Sequence, residues 1–196
     1  MAFLDPVALT GTLVRLDPLT HDDDEALGAA AADGELWRLG YTSVPRPEDM
    51  AADTEFRLGQ HAAGTMLPFV TRRLDTGAVV GATTFCHVDA RNRRVEIGYT
   101  WNARSVQRSG TNTDSKLLLL THAFETLDCI AVELRTHFLN RQSRAAIERL
   151  GARQDGVLRH HQVMADGSLR DTVVYSITAP EWPAIRGELR RRLHAG

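Results

Sequence analysis

The run that most restricts the fold lies between residues 94 and 138, where a strand, a glycine-containing loop, a helix and a second strand follow one another. Val95, Ile97, Tyr99 and Trp101 alternate with Glu96, Gly98 and Thr100, as a strand with one buried face would. From Asp114 to Leu127 the period changes, with Leu117, Leu120, Phe124 and Leu127 at helical spacing. Ala131 to Phe138 alternates again, which completes a crossover unit.

The segments on either side read as hairpins and helices. Leu13 to Leu16 alternates as a short strand, and Thr20 precedes His21-Asp22-Asp23-Asp24-Glu25, acids that suit the start of a helix running to about Ala32. Gly34, Gly40, Pro45 and Pro47 mark a loop before a second helix from Glu48 to about His61. Leu67 to Arg73, the turn Asp75-Thr76-Gly77 and Ala78 to Val88 make a hairpin, and Arg91-Asn92 turns the chain into the strand at Arg94. Asn140 can cap a helix that buries Ile147 and Leu150 and ends at Gly151. Arg153 to Val163 and Leu169 to Ile177 flank the turn residues Ala165-Asp166-Gly167 as a closing hairpin, and Pro180-Glu181-Trp182-Pro183 introduces a basic last helix.

Composition excludes several classes. Lys plus Arg number 23 against 25 Asp plus Glu, so no global positive field gathers nucleic acid or an anionic membrane. No apolar run, the four leucines Leu117 to Leu120 included, approaches the ~20 residues needed to cross a bilayer. Cys86 and Cys129 are far apart and His160-His161 has no further ligands at a recognisable spacing, so no metal is expected. The opening Met1 to Pro6 lacks a basic-then-apolar signal pattern, and a cytoplasmic location with reduced thiols is the expectation.

The loop before the helix carries chemistry. A glycine between a strand and a helix leaves backbone N–H groups free at the helix N-terminus, where the dipole favours anions such as a pyrophosphate. Arg104 and Arg108 add positive charge, and Ser109, Thr111 and Thr113 add hydroxyl donors. Walker A fails because Asp114-Ser115, not a glycine, precede Lys116, and the three closely spaced glycines of a dinucleotide fingerprint do not occur. From the loop alone, a tight turn with solvated arginines explains the residues equally well.

Gln107 and Gly110 match the acetyl-CoA pyrophosphate loop of the GNAT superfamily, while Asn112 departs from the Gly or Ala of its last position. Gly110-Thr111-Asn112-Thr113-Asp114-Ser115-Lys116 resembles the Gly-x-Asn-Thr-Glu-Ala-Lys variant of the branch that includes ribosomal-protein alanine N-acetyltransferases. Asn140 to Ala152 resembles that family's Asn-x-x-Ser-x-x-x-x-Glu-x-x-Gly segment, and the likeness reaches Asp166 to Thr172.

The resemblance implies an α/β (α+β) fold of GNAT type in a single domain, 1–196: a mixed, mostly antiparallel sheet of about seven strands flanked by helices. It also implies a sheet splayed between the strands Arg94 to Trp101 and Ala131 to Phe138, with the thioester of acetyl-CoA in the gap. The cofactor-binding residues it implies are Tyr99, Trp101, Gln107, Arg108, Ser109, Gly110, Thr111, Asn112, Thr113, Asn140 and Arg144. The implied activity is acetyl transfer to a primary amine, either a protein N-terminus or a small molecule. Glu96 is the implied base, and cross-strand pairing with Arg135 or Arg94 is its structural alternative. Ser143 replaces the family's tyrosine as acid for the leaving thiolate, or else stabilises the helix's first turn. Asn140 orients the pantetheine chain, caps the helix, or does both. A GNAT-fold acyl-CoA sensor without turnover is the rival reading, and a homodimer is an open alternative for the assembly.

Overall fold

The computed structural model describes residues 3–164 and 166–195. Met1, Ala2, Ala165 and Gly196 lie outside them, including the start of the opening segment and the first residue of the turn expected at 165–167. In chain order the elements are β1 (Leu9–Thr10), β2 (Val14–Pro18), α1 (Asp24–Ala32), α2 (Met50–Ala62), β3 (Leu67–Arg73), β4 (Val79–Asp89) and β5 (Arg94–Asn102). They continue with α3 (Thr111–Thr121), β6 (Ala131–His137), α4 (Arg141–Arg149), β7 (Arg153–Val163), β8 (Leu169–Thr178) and α5 (Trp182–Ala195). Eight strands form one sheet in the order β1-β2-β3-β4-β5-β6-β8-β7, and β5 with β6 is its one parallel pair among the described residues. The strand beyond the seven expected is β1, whose two residues are too few for any alternation to reveal.

Each face of the sheet carries its own core. Val95, Ile97, Val132, Leu134, Val173 and Ile177 point to one side, where Leu119, Leu120 and Phe124 from α3 and its continuation, Ile147 of α4 and Leu189 of α5 cover them. On the other side Leu27 and Ala31 of α1 and Met50 of α2 cover Val70, Val80 and Ala82. Burying apolar side chains on both faces is what fixes the strand register, since a one-residue slip would exchange the faces.

Helix α3 departs from the sequence pattern at both ends. It begins at Thr111 because Gly110 takes φ 84°, a left-handed conformation that a side chain would strain, and this turns the loop directly into the helix. It ends in a π-helical turn over His122–Thr126 that keeps Phe124 buried and stacked on Trp182, 5.4 Å between ring centres.

Two buried charges clamp α3 to the sheet. One oxygen of Asp114 accepts hydrogen bonds from the backbone N–H groups of Thr12, Leu13 and Val14 at 2.9, 2.6 and 3.0 Å. Lys116 donates to Thr100 at 2.6 Å and to Thr83 at 3.3 Å and has no carboxylate partner among the described residues. Burial pushes its ammonium from the ordinary 10.5 down to about 7. The unfolded chain therefore holds more protons between those values, so stability rises with pH across the window and the full burial cost is present below it. Lys116→Met removes this dependence. The difference in unfolding free energy between the native protein and the variant is expected to shift toward the native protein by up to about 1.4 kcal/mol per pH unit across that range. Urea unfolding at several pH values measures it, and a flat difference means that Lys116 stays charged in the fold.

Candidate active site

The sheet opens in its middle. Strands β5 and β6 pair only over Arg94–Glu96 and Ala131–Glu133. Beyond Glu96, β5 runs on to Asn102, while β6 stays paired with β8 from Ala131 to His137. The two strands therefore part, and backbone groups of β5 past Glu96 lose their partners on that side. Gln107 bridges the opening: its Nε2 donates to the carbonyl of Asn102 at 3.2 Å, and its Oε1 accepts from Gln142 of α4 at 3.3 Å.

The N-terminus of α3 lies in the same loop. Its first helical bond runs from the N–H of Asp114 to the carbonyl of Gly110 at 2.9 Å, and no side chain caps the helix. The N–H groups of Thr111, Asn112 and Thr113 precede that bond, as the free donors of a first turn do. Arg108 is exposed in a left-handed conformation at φ 65°. The hydroxyl of Ser109 donates to the carbonyl of Val106 at 2.5 Å and lies 3.0 Å from that of Thr111. The N–H dipoles of an uncapped first turn are the kind of donors that suit an anion. In the motif-like stretch Gly110 to Lys116, the acid and the lysine are therefore structural clamps, and the residues before them face the loop.

Two bulges shape the floor of the opening. Cys86 lies opposite Glu96, but His87 and Val88 together oppose Val95, and Tyr99 and Thr100 together oppose Thr83. His87 and Tyr99 take φ of 46° and 50°, a conformation uncommon for residues with side chains. The second bulge overturns the alternation expected for β5. Tyr99 leaves the row of Val95 and Ile97 and lies beneath the Arg57 guanidinium of α2, 5.1 Å from the ring centre, and Trp101 packs in the other core with α1. One extra residue inverts every side chain that follows, and no residue type in 94–102 announces it.

Glu96 stands between these bulges with a side chain only 8% exposed. One of its oxygens, Oε2, is 2.9 Å from Nδ1 of His87 and 3.1 Å from Nε of Arg135. The pairing alternative thus forms with Arg135, while Arg94 pairs with Glu133 at 2.6 Å. The other oxygen lies over Gly98, where an added Cβ would come within 2.9 Å of it and 2.8 Å of the Cys86 sulfur, so only glycine leaves this space open. Hydrogen bonding to Glu96 raises the His87 imidazole above its ordinary 6.5. Burial, then the Glu96 charge, push the Cys86 thiol far up. Cys86, His87 and Glu96 bring potential ligand atoms within 4.8 Å of one another, but the Arg135 guanidinium already supplies the positive charge at this carboxylate, and the three are not read as metal ligands.

Helix α4 borders the far side. Asn140 caps it, its Oδ1 accepting from the backbone N–H of Ser143 at 2.9 Å. Arg144 donates through Nε to the Tyr175 hydroxyl at 3.2 Å and stacks on Phe138 at 5.0 Å. A cavity of about 270 Å³ beside the first turn of α3 is lined by Asn112, Thr113, Ala146, Arg149, Leu150 and Arg192. Nothing in the sequence assigns Arg149 or Arg192 to this loop. They lie far from it along the chain, and only packing of α4 and α5 brings them to it.

These features match known proteins. The model of the acetyltransferase (GNAT) domain family matches residues 14–153. YdaF of Bacillus subtilis, provisionally named a ribosomal N-acetyltransferase, is 34% identical over 106 residues, a match spanning 54% of this chain and 57% of YdaF. A crystal structure from T. thermophilus, provisionally described as an acetyltransferase, is 31% identical with a TM-score of 0.85, covering 98% of this chain and 100% of that one. Mycobacterium smegmatis RimJ, solved with CoA-disulfide, shares the fold at 24% identity and a TM-score of 0.80, covering 97% of this chain and 95% of its own. With the parted sheet and the open helix N-terminus between its halves, this chain belongs to the GNAT acetyltransferase family.

Proposed function

We propose that the chain moves an acetyl group from acetyl-CoA directly to a primary amine. The observation that carries this is the parting of β5 from β6 beside the uncapped N-terminus of α3. One opening there offers donors for a pyrophosphate and unpaired strand backbone for a thioester. CoA bound to RimJ supports the same donor for this chain.

In this reading Gln107, Arg108, Ser109, Gly110, Thr111, Asn112 and Thr113 hold the pyrophosphate. Arg149 and Arg192 in the adjoining cavity suit the ribose phosphate. Tyr99 and Trp101 contribute through their main chain, because their side chains turn toward α2 and α1. The Oδ1 of Asn140 is occupied as a cap, which leaves its amide nitrogen to orient the pantetheine. Arg144, fixed by Tyr175, frames α4 on that side.

The acceptor amine must lose a proton to attack, and the negative charge of Glu96 favours its departure. The amine lone pair then adds to the thioester carbonyl, β5 N–H groups stabilise the oxyanion, and the C–S bond breaks. Ser143, in the first turn of α4, offers its hydroxyl to the departing thiolate and is reprotonated by the second N–H proton that the adduct nitrogen loses, so the products are the amide and the CoA thiol. The names of YdaF and RimJ make ribosomal-protein N-terminal peptides the first acceptors to try. With acetyl-CoA and a panel of such peptides and small amines, amine-dependent release of the CoA thiol is expected, with the acetylated amine identified by mass. Tight CoA binding with no release for any amine would instead favour a sensor.

A further inference from the structure

Beside Glu96 stands a group that the transfer reading does not use. His87 would point away from Glu96 in a regular strand, but the bulge at 87–88 turns its Nδ1 to within 2.9 Å of the Glu96 carboxylate. The carboxylate is nearly buried and the imidazole side chain is 63% exposed. Its Nε2 has no partner among the described residues, whereas Oε2 of Glu96 also meets Arg135.

A carboxylate alone is a poor final home for this proton. A peptide N-terminal ammonium ordinarily loses its proton near pH ~8, a carboxylic acid near ~4 and an imidazolium near ~6.5. A buried carboxylate that fixes the Nδ1–H of a histidine selects the tautomer whose Nε2 is free to accept, and it stabilises the imidazolium that results.

Resting on the acetyl-transfer reading, we propose that His87 and Glu96 act as one base, in which Glu96 orients and charges the imidazole and His87 Nε2 carries away the acceptor's proton. The N–H bond of the acceptor ammonium breaks and the proton passes through a solvent water to Nε2, forming imidazolium. The freed nitrogen lone pair attacks the thioester carbon, the C–S bond breaks, and the adduct's second N–H proton passes to the departing thiolate, leaving an amide and the CoA thiol. The imidazolium then returns its proton to bulk solvent from its exposed edge, which restores the Nδ1–H form against Glu96. No oxidant or metal enters the step.

The groups that face His87 set its response to pH. Glu96 from β5 holds the imidazole above its ordinary value, Glu133 of β6 adds to this, and partial burial and Arg135 of β6 oppose it. Cys86, its chain neighbour, has its thiol held protonated by burial. Activity should therefore rise with pH along an acid limb lying above pH 6.5, as neutral imidazole forms.

The test is His87→Gln in the full chain, with steady-state acetyl transfer followed from pH 5.5 to 9. A fall in kcat of about 10- to 100-fold is expected, with KM for acetyl-CoA unchanged, the acid limb lost and the rate restored in proportion to added imidazole. Native-like thermal unfolding of the variant separates this from misfolding. NMR titration of the His87 ring supplies a readout apart from activity, expected to lie above 6.5 in the native protein and to fall in Glu96→Gln. Native transfer that His87→Gln leaves within twofold overturns the shared base and keeps the transfer reading. A slow variant that imidazole does not rescue, or a His87 ring at or below its ordinary value, also overturns it. No transfer by the native protein with any amine overturns both.

Discussion

Asp114→Ala should cost roughly 3–5 kcal/mol of folding stability, because three backbone donors lose a charged acceptor at once. Its Oδ2 binds the N–H groups of Thr12, Leu13 and Val14, and Val14 is fully buried, so water cannot simply replace the carboxylate there. The residue lies in the first turn of α3, which makes it the tie between the β1–β2 turn and the helix that presents the free N–H groups. Loss of the tie should lower the melting temperature by about 10 °C and weaken CoA binding together with stability. Asp114→Asn keeps an oxygen in place while removing its charge, and should cost about half as much. Paired thermal and urea unfolding check the order. An alanine variant within about 1 kcal/mol of the native protein would mean that the clamp carries little of the fold.

Glu96→Gln has the largest expected effect on activity. The amide nearly preserves the shape beneath Gly98 but cannot draw a proton, and a lost base ordinarily costs about 100-fold or more in kcat. The hydrogen-bond and ion-pair partners of Glu96 among the described residues are His87 and Arg135, not the loop 107–113 or the N-terminus of α3, so KM for acetyl-CoA should stay within about twofold. Arg135 keeps its 2.8 Å ion pair with Glu133 when the charge at 96 is removed, so the fold should tolerate the change. Undiminished kcat in a folded variant would return Glu96 to the role of a cross-strand partner. A rise in KM for acetyl-CoA with kcat intact would assign it to binding.

Local pattern carried much of the architecture. Helical spacing from Leu117 to Leu127, alternation in 131–137, and the order of hairpins and crossover all appear in the described structure, because period and turn chemistry are local properties. The Asn140 cap was equally readable, since a side chain three residues from its N–H partner needs no distant contact. Gly110 was legible as a turn residue for the same reason.

The site was less legible where it depends on single insertions and on distance along the chain. The bulges that aim His87 and Tyr99 add one residue each to a paired strand, and they redirect side chains without a composition signal. Arg149, Arg192 and the three donors to Asp114 come from segments that meet only when both faces of the sheet are covered. By itself, then, the sequence determined the order and type of most elements and the glycine turn that opens α3, because these follow from periodicity and from one glycine's freedom. Only the tertiary structure decided that Lys116 and Asp114 are clamps, that Trp101 changes face, and that Glu96 has an exposed histidine as its partner. Those outcomes depend on register and burial, which the whole sheet sets at once.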